Sequence, residues 1–355
     1  MRVLKTIFFL GFFKMKRILF CFISFFIFHF SFSQTPYKVF LVGDAGENEM
    51  TGEALDSLKS KMDANPNSAV VFLGDNTYKE IFFGLTEGFK GFDSTKVAIK
   101  KMKSQLEIIN GYKGSAYFIP GNHDWWNLTT FERGKRKLKI EENFIEAILH
   151  DNKTIVNPDA TFLPKNGSPG PAVADLDNGN VKLVFIDTNW LNLLAFKYNP
   201  KENLEFAKVF YQRLDSILTS ANTRKQQVVV VGHHATFTTG NILNRTIKHP
   251  FLFKRIKQSY KDFPGYKEMS AQLNAIFEKH PGVYYAAGHL HALQYHTQNG
   301  VHYMISGSGS KTDPEKCTST DCEIWNEQGF FEIDFYPDHQ DVIMYRDGGK
   351  KSEKL

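Results

Sequence analysis

A chain of 355 residues with 42% hydrophobic and 23% charged residues can build one large or two medium domains, and this composition excludes intrinsic disorder and a collagen-like repeat. The formal net charge of +5 resides in residues 1–33, which hold five basic residues (Arg2, Lys5, Lys14, Lys16 and Arg17) and no acidic one, so the remainder is formally neutral. A basic, nucleic-acid-seeking protein is thereby excluded.

The first element is not part of the fold. Residues 1–33 contain 11 of the 33 phenylalanines, and Lys14, Lys16 and Arg17 precede an apolar run from Ile18 to Phe32. Ser31 and Ser33 occupy the small-residue positions of an export cleavage site before Gln34, the layout of a secretory signal. The alternative, an uncleaved anchor, needs roughly 20 apolar residues, more than this run supplies. A signal at 1–33, a domain over 36–346 and a flexible tail at 347–355 are expected, with the product exported to a periplasmic or extracellular space and free of stable membrane association once cleaved. Cys317 and Cys322, four residues apart, read as a disulfide closing a small loop, with two free thiols as the alternative.

From Tyr37 onward, short apolar runs alternate with helical patterns. The runs are 37–42 (YKVFLV), 68–73 (SAVVFL), 116–119 (AYFI), 181–186 (VKLVFI), 227–231 (QVVVV) and 283–287 (VYYAA), each bounded by Gly, Pro or Asp. Such runs predict strands buried on both faces. Helical spacing covers 51–62, 95–109, 206–218 and 266–277; in the last, Met269, Leu273, Ile276 and Phe277 form an apolar stripe. Strands at 302–305, 330–335 and 341–345 complete the chain. The expected class is α/β, a mixed sheet sandwich flanked by helices in one catalytic domain.

Five of the six leading strand ends carry metal-ligand residue types: Asp44, Asp75, Asn122 with His123, His233 with His234, and His289 with His291. Singly, each is explained as a turn or cap residue. Jointly, at ends where loops converge, they suit two cations about 4 Å apart that need carboxylates for charge, a bridging oxygen and imidazoles to complete each shell.

The ordered series GDAG (43–46), GDNTY (74–78), GNHD (121–124), GHH (232–234) and GHLH (288–291) resembles the calcineurin-like metallophosphoesterases. More narrowly it resembles the purple acid phosphatases of the tartrate-resistant type. The wider superfamily has Asp-x-His at its first motif; here Gly46 stands at the histidine position, and Tyr78, three residues after Asp75, supplies a phenolate suited to ferric iron.

The resemblance implies that Asp44, Asp75, Tyr78 and His291 hold Fe(III). It implies that Asp75, Asn122, His233 and His289 hold a second metal, Fe(II), Zn or Mn, with Asp75 bridging. His123 corresponds to the acid beside the metals. The implied activity is acid phosphatase hydrolysis of small-molecule phosphate monoesters by a metal-bound hydroxide. The alternative is a phosphodiesterase or nucleotide phosphoesterase using Mn or Zn on the same scaffold.

Ala45 replaces a bulky aromatic, and His234-Ala235-Thr236 replaces the tyrosine and proline usual after the fourth motif, so substrate preference does not transfer. His234 reads as a phosphate contact or a turn residue. Residues 307–312 (GSGSKT) imitate a phosphate-binding loop, but Ser310 stands where its glycine is required, and the segment reads as a strand-end turn. The basic stretch 244–261 reads as a solvated amphipathic helix or an anion grip, and Trp125, Trp126 and Trp190 as pocket walls or core.

Overall fold

A computed structural model of the chain describes residues 35–47, 53–78, 91–125, 131–152, 154–193, 200–240, 264–313, 315–317, 323–347 and 353–354. The chain divides into Met1–Pro36 and Tyr37–Leu355. The expected signal segment, Trp126, the basic stretch 244–261 and Cys322 lie outside the described residues. Cys317 is disulfide-bonded.

The apolar runs form strands. β1 (Tyr37–Val42), β2 (Ser68–Phe72) and β3 (Ser115–Phe118) are parallel neighbours, and β11 (Gly329–Phe335), β12 (Gln340–Arg346) and β13 (Glu353–Lys354) extend the sheet antiparallel from β1, in the order β13-β12-β11-β1-β2-β3. The pairing of Glu353 and Lys354 with β12 lies within the segment expected to be a flexible tail.

The second sheet runs β10-β8-β9-β7-β6-β5-β4. Its parallel centre is β5 (Val181–Phe185), β6 (Gln227–Val231), β7 (Tyr284–Ala287) and β9 (Val301–Ser306). Antiparallel edges are β4 (Ala172–Leu176) on one side, and β8 (Leu293–Gln298) and β10 (Ile324–Trp325) on the other.

Period-two alternation divides the strand residues between two cores. Val39, Leu41, Val71 and Ile333 of the first sheet pack with Leu183, Phe185, Val229 and Met304 of the second. Their neighbours Phe40, Val42, Val70, Phe118, Val184, Val230 and Tyr285 point outward under the helices. Both faces are therefore apolar, which is why the runs are continuous instead of alternating.

Helices α1 (Glu53–Ala64), α2 (Gly91–Ile109), α3 (Asn122–Trp125), α4 (Phe131–Asn152), α5 (Thr188–Leu193), α6 (Pro200–Thr223) and α7 (Pro264–Phe277) follow. Each long helix buries a stripe at helical spacing. In α1 it is Leu55, Leu58 and Met62; in α6, Phe210, Leu214, Leu218 and Ala221; in α7, the predicted Met269, Leu273, Ile276 and Phe277. The observed architecture is the expected α/β class, two mixed sheets flanked by helices.

On β1 and β11, away from the loops that end the parallel strands, Lys38 Nζ donates to Glu332 Oε1 at 2.5 Å and to Asp334 Oδ2 at 2.6 Å. One cation serves two carboxylates. Burial and the adjacent Glu332 push Asp334 up to about 7. A carboxyl raised above its ordinary value favours the folded state while protonated. Its contribution is therefore present below pH about 4 and is lost as pH rises through 7. Asp334→Asn is expected to flatten this decline, read as a smaller fall in Tm between pH 5 and pH 8 than the parent shows.

Candidate metal centre

The site assembles where the parallel strands end. Asp44 follows β1, Asp75 and Tyr78 follow β2, Asn122 and His123 open α3 after β3, His233 follows β6, and His289 and His291 follow β7. Each sheet thus contributes a share of the donors.

The backbone is bent to bring them inward. Asp44, Asp75 and His289 occupy the left-handed region at φ of 55°, 52° and 66°. Few non-glycine residues sit there, and the cost of order 1–3 kcal/mol persists only where surrounding contacts impose it. Gly74 before Asp75 has φ of 85°, and a Cβ there would lie 2.8 Å from His233 Nδ1. A Cβ on Gly288 would lie 2.5 Å from Asp44 Oδ2. Only glycine lets these strand ends approach so closely.

The donor atoms fall into two groups. In the first, the Tyr78 hydroxyl donates to Asp44 Oδ1 at 2.9 Å and lies 3.0 Å from His291 Nε2, which is 3.3 Å from Asp44 Oδ1. In the second, Asn122 Oδ1 lies 3.1 Å from His233 Nε2 and 2.8 Å from His289 Nδ1, and His233 Nε2 is 3.3 Å from Asp75 Oδ1. Single ligand atoms of Asp44, Asp75 and His233 all lie within 4.8 Å of one another, which links the groups through Asp75. The backbone turns left-handed at His289, and the two histidines of the last motif serve different groups: His289 Nδ1 lies by Asn122 in the second and His291 Nε2 by Tyr78 in the first.

All seven predicted ligands are brought together. His123 lies beside them, its Nε2 4.0 Å from Asp75 Oδ2 and its ring 4.3 Å from that of Tyr78. Carboxylate, phenol, amide and imidazole donors converging around the buried Asp44, Asp75 and His233 are a set that fits hard or borderline cations.

Charge in this cluster is tightly coupled. Burial works to raise Asp75, but the His233 imidazolium and bonds from His233 and His123 hold its carboxyl well below the usual range. Burial works against the His233 charge, and the attraction of Asp75 overrides it, raising His233 to about 10. Burial and the carboxylates of Asp44 and Asp75 drive the Tyr78 phenol far upward. Burial, with His233 alongside, keeps His289 well below its ordinary value, and burial also lowers His123.

Several positioning residues have roles that the sequence does not show. Asp124 accepts from the backbone N–H groups of Gly121 at 2.7 Å, Thr77 at 3.0 Å and Asn76 at 3.2 Å, and so locks the second and third motif loops together. Asp313 takes His291 Nδ1 at 2.7 Å, fixing which ring nitrogen faces the centre. The Ser310 hydroxyl donates to the Asp44 carbonyl at 2.7 Å.

Asp187, the strand-end residue not among the predicted ligands, accepts Trp125 Nε1 at 2.8 Å and the Trp190 N–H at 2.9 Å. Both tryptophans are buried core residues. His234 is buried with its ring 4.5 Å from that of His289 and its Nδ1 2.8 Å from Thr188 Oγ1, so it packs behind the centre.

Residues 37–293 match the calcineurin-like phosphoesterase family. No curated protein matches the chain by sequence. Among solved structures, GAP50, the anchor in the inner membrane complex of Plasmodium, is similar with a TM-score of 0.53 and 15% identity over 91% of this chain and 89% of that one. PhoD is similar with a TM-score of 0.51 and 10% identity over 90% of this chain and 69% of that one. At such identities the likeness is one of fold.

Proposed function

Because the chain belongs to the calcineurin-like phosphoesterases, a family that binds two metal ions, we propose that it is an exported acid phosphatase of the purple type, cleaving small-molecule phosphate monoesters. The observation that carries this reading is the convergence of seven donors into two groups joined at Asp75, with the Tyr78 hydroxyl against Asp44 and His291. Asp44, Asp75, Tyr78 and His291 would hold Fe(III). Asp75, Asn122, His233 and His289 would hold Fe(II), Zn or Mn. Two cations there supply Lewis-acid charge that offsets the negative charge gathering on the phosphoryl oxygens and activates water near neutral pH.

The chain's own residues do the rest. Asp124 and Asp313 orient the donors, and Leu73 accepts from His233 Nδ1 at 2.8 Å, which leaves Nε2 directed at the centre. His123 stands beside Asp75, where its Nε2 can hold a proton for the departing alkoxide oxygen. His123→Asn is expected to lower kcat about a hundredfold while metal content stays at the parent's level.

Cation loading must strip protons from His233 and Tyr78, so metal affinity falls as pH falls. Calorimetric titration of metal-free protein in buffers of different ionisation enthalpy should read more than one proton released near neutral pH.

Elemental analysis, a visible spectrum and hydrolysis of mono- and diesters from acidic to neutral pH test the whole reading. Two metal equivalents including iron, a tyrosinate-to-iron band and a monoester preference in acid are expected. One metal equivalent or none contradicts the dinuclear site. Mn or Zn without a visible band, together with diester preference, would move the assignment to a phosphodiesterase. Export is supported by the composition of residues 1–33 and by the disulfide at Cys317, and a secreted product beginning at Gln34 would establish it.

A further inference from the structure

Helices α2 and α4 each carry polar side chains into a buried face. In α4, Glu141 and Glu142 lie between the buried Leu138 and Ile145; in α2, Gln105 lies between the buried Met102 and Ile109. Glu142 is accounted for locally, since it accepts from Lys139 Nζ at 3.0 Å and from the Asn166 N–H at 2.8 Å. Glu141 and Gln105 instead converge on Asn76, the residue that follows Asp75.

Asn76 is 1% exposed and is gripped at both ends. Gln105 Nε2 donates to its carbonyl at 2.8 Å. Its own Nδ2 donates to Glu141 Oε1 at 3.1 Å and to the Ile119 carbonyl at 2.9 Å, and lies 3.3 Å from Asp124 Oδ2. On another side the Asp44 loop presses close, for a Cβ on Gly46 would lie 2.3 Å from the Asn76 carbonyl carbon. One turn before Glu141, Lys137 Nζ donates to the His123 carbonyl at 2.7 Å. Residues four apart share a helix face, so a single face of α4 holds both the loop of Asp75 and the turn that carries Asn122 and His123.

Glu141 is an unfavourable residue for this place. Its Oε2 has no hydrogen-bond partner among the described residues, and burial with the Asp124 carboxyl nearby pushes Glu141 well above the usual carboxylate range. Buried polar groups are costly unless fully bonded, and an apolar side chain of similar size is often more stable there. What the carboxyl supplies, and leucine cannot, is an acceptor for Asn76.

We propose that Glu141 is a positioning residue of the metal centre: by holding the Asn76 side chain it fixes the left-handed turn at Asp75, and with it the reach of Asp75 to both cations, at a cost in stability. This rests on the dinuclear reading above.

The test compares full-length, metal-loaded parent with Glu141→Leu, Glu141→Gln and Glu142→Gln. Elemental analysis after dialysis against graded chelator gives the concentration that removes half the metal, and thermal melting of the metal-free proteins gives Tm. Glu141→Leu should lose its metal at about tenfold lower chelator, the usual consequence of removing an outer partner of a ligand, yet melt at or above the parent's Tm. Glu141→Gln keeps the acceptor and should retain metal as the parent does. Glu142→Gln should lower Tm and leave metal retention at the parent's level. The proposal is overturned by a Glu141→Leu protein that holds metal as tightly as the parent, by one that fails to fold or loses Tm and metal together, or by a Glu141→Gln protein as leaky as the leucine variant; in each case the dinuclear reading stands. A parent with fewer than two metal equivalents overturns both.

Discussion

Asp75→Asn is expected to lower kcat by about a thousandfold or more and to leave the protein with less than its full metal complement. Asp75 stands between the donor groups: His233 Nε2 of the second lies 3.3 Å from its Oδ1, and a ligand atom of Asp44 of the first lies within 4.8 Å. Lewis-acid stabilisation amounts to several kcal/mol, and about 4 kcal/mol corresponds to three decades of rate. The variant should still fold. Asparagine tolerates the left-handed backbone at φ of 52° and keeps an oxygen for the His123 N–H, now 2.8 Å from Asp75 Oδ1. Metal-free parent and variant should therefore melt within a few degrees of each other, while added metal raises Tm more in the parent than in the variant. A variant that retains both metals and parental turnover would remove Asp75 from the bridging position.

Phe72→Ala should have the largest effect on stability, a loss of about 3–5 kcal/mol in urea unfolding. Phe72 is 1% exposed and stacks on Phe118 with centroids 4.4 Å apart and an interplanar angle of 4°. Truncation removes the buried ring, leaves a cavity and forfeits the stack, itself about 0.5–1.5 kcal/mol. The position gives the variant a second consequence. Phe72 and Phe118 are the last residues of β2 and β3, immediately before the loops that carry Asp75 and Asn122. Metal affinity should fall along with stability. Phe331→Ala, in the core between the sheets, should cost comparable stability with less effect on metal binding.

The parallel core was legible because burial on both faces writes itself as uninterrupted apolar runs. The predicted runs at 37–42, 68–73 and 227–231 meet β1, β2 and β6 within a residue. The convergence of the candidate donors was legible for a related reason, since residues that follow parallel strands share one edge of the sheets and the close approach there demands glycine. The helix α4 was not singled out, although Leu138, Ile145 and Leu149 are buried along it. Its stripe is sparse within a densely charged stretch. The roles of Asp124, Asp313 and Ser310 could not be read, because each acts on a loop brought near by folding, and an aspartate beside a turn looks the same whether it clamps another motif or faces water. His234 gave the two readings of phosphate contact and turn residue, and its packing against His289 and Thr188 is a third.

The donors are split along the chain as well as between the sheets. Asp44, Asp75, Tyr78 and Asn122 precede a gap of 111 residues to His233, and His291 comes later still. A nascent chain that has reached only Asn122 offers oxygen donors and no imidazole ligand, so it has little hold on a borderline cation. On the proposed dinuclear reading, metal capture would therefore be a late event in the life of the polypeptide, waiting until β6 and β7 have been synthesised and docked beside β1 to β3.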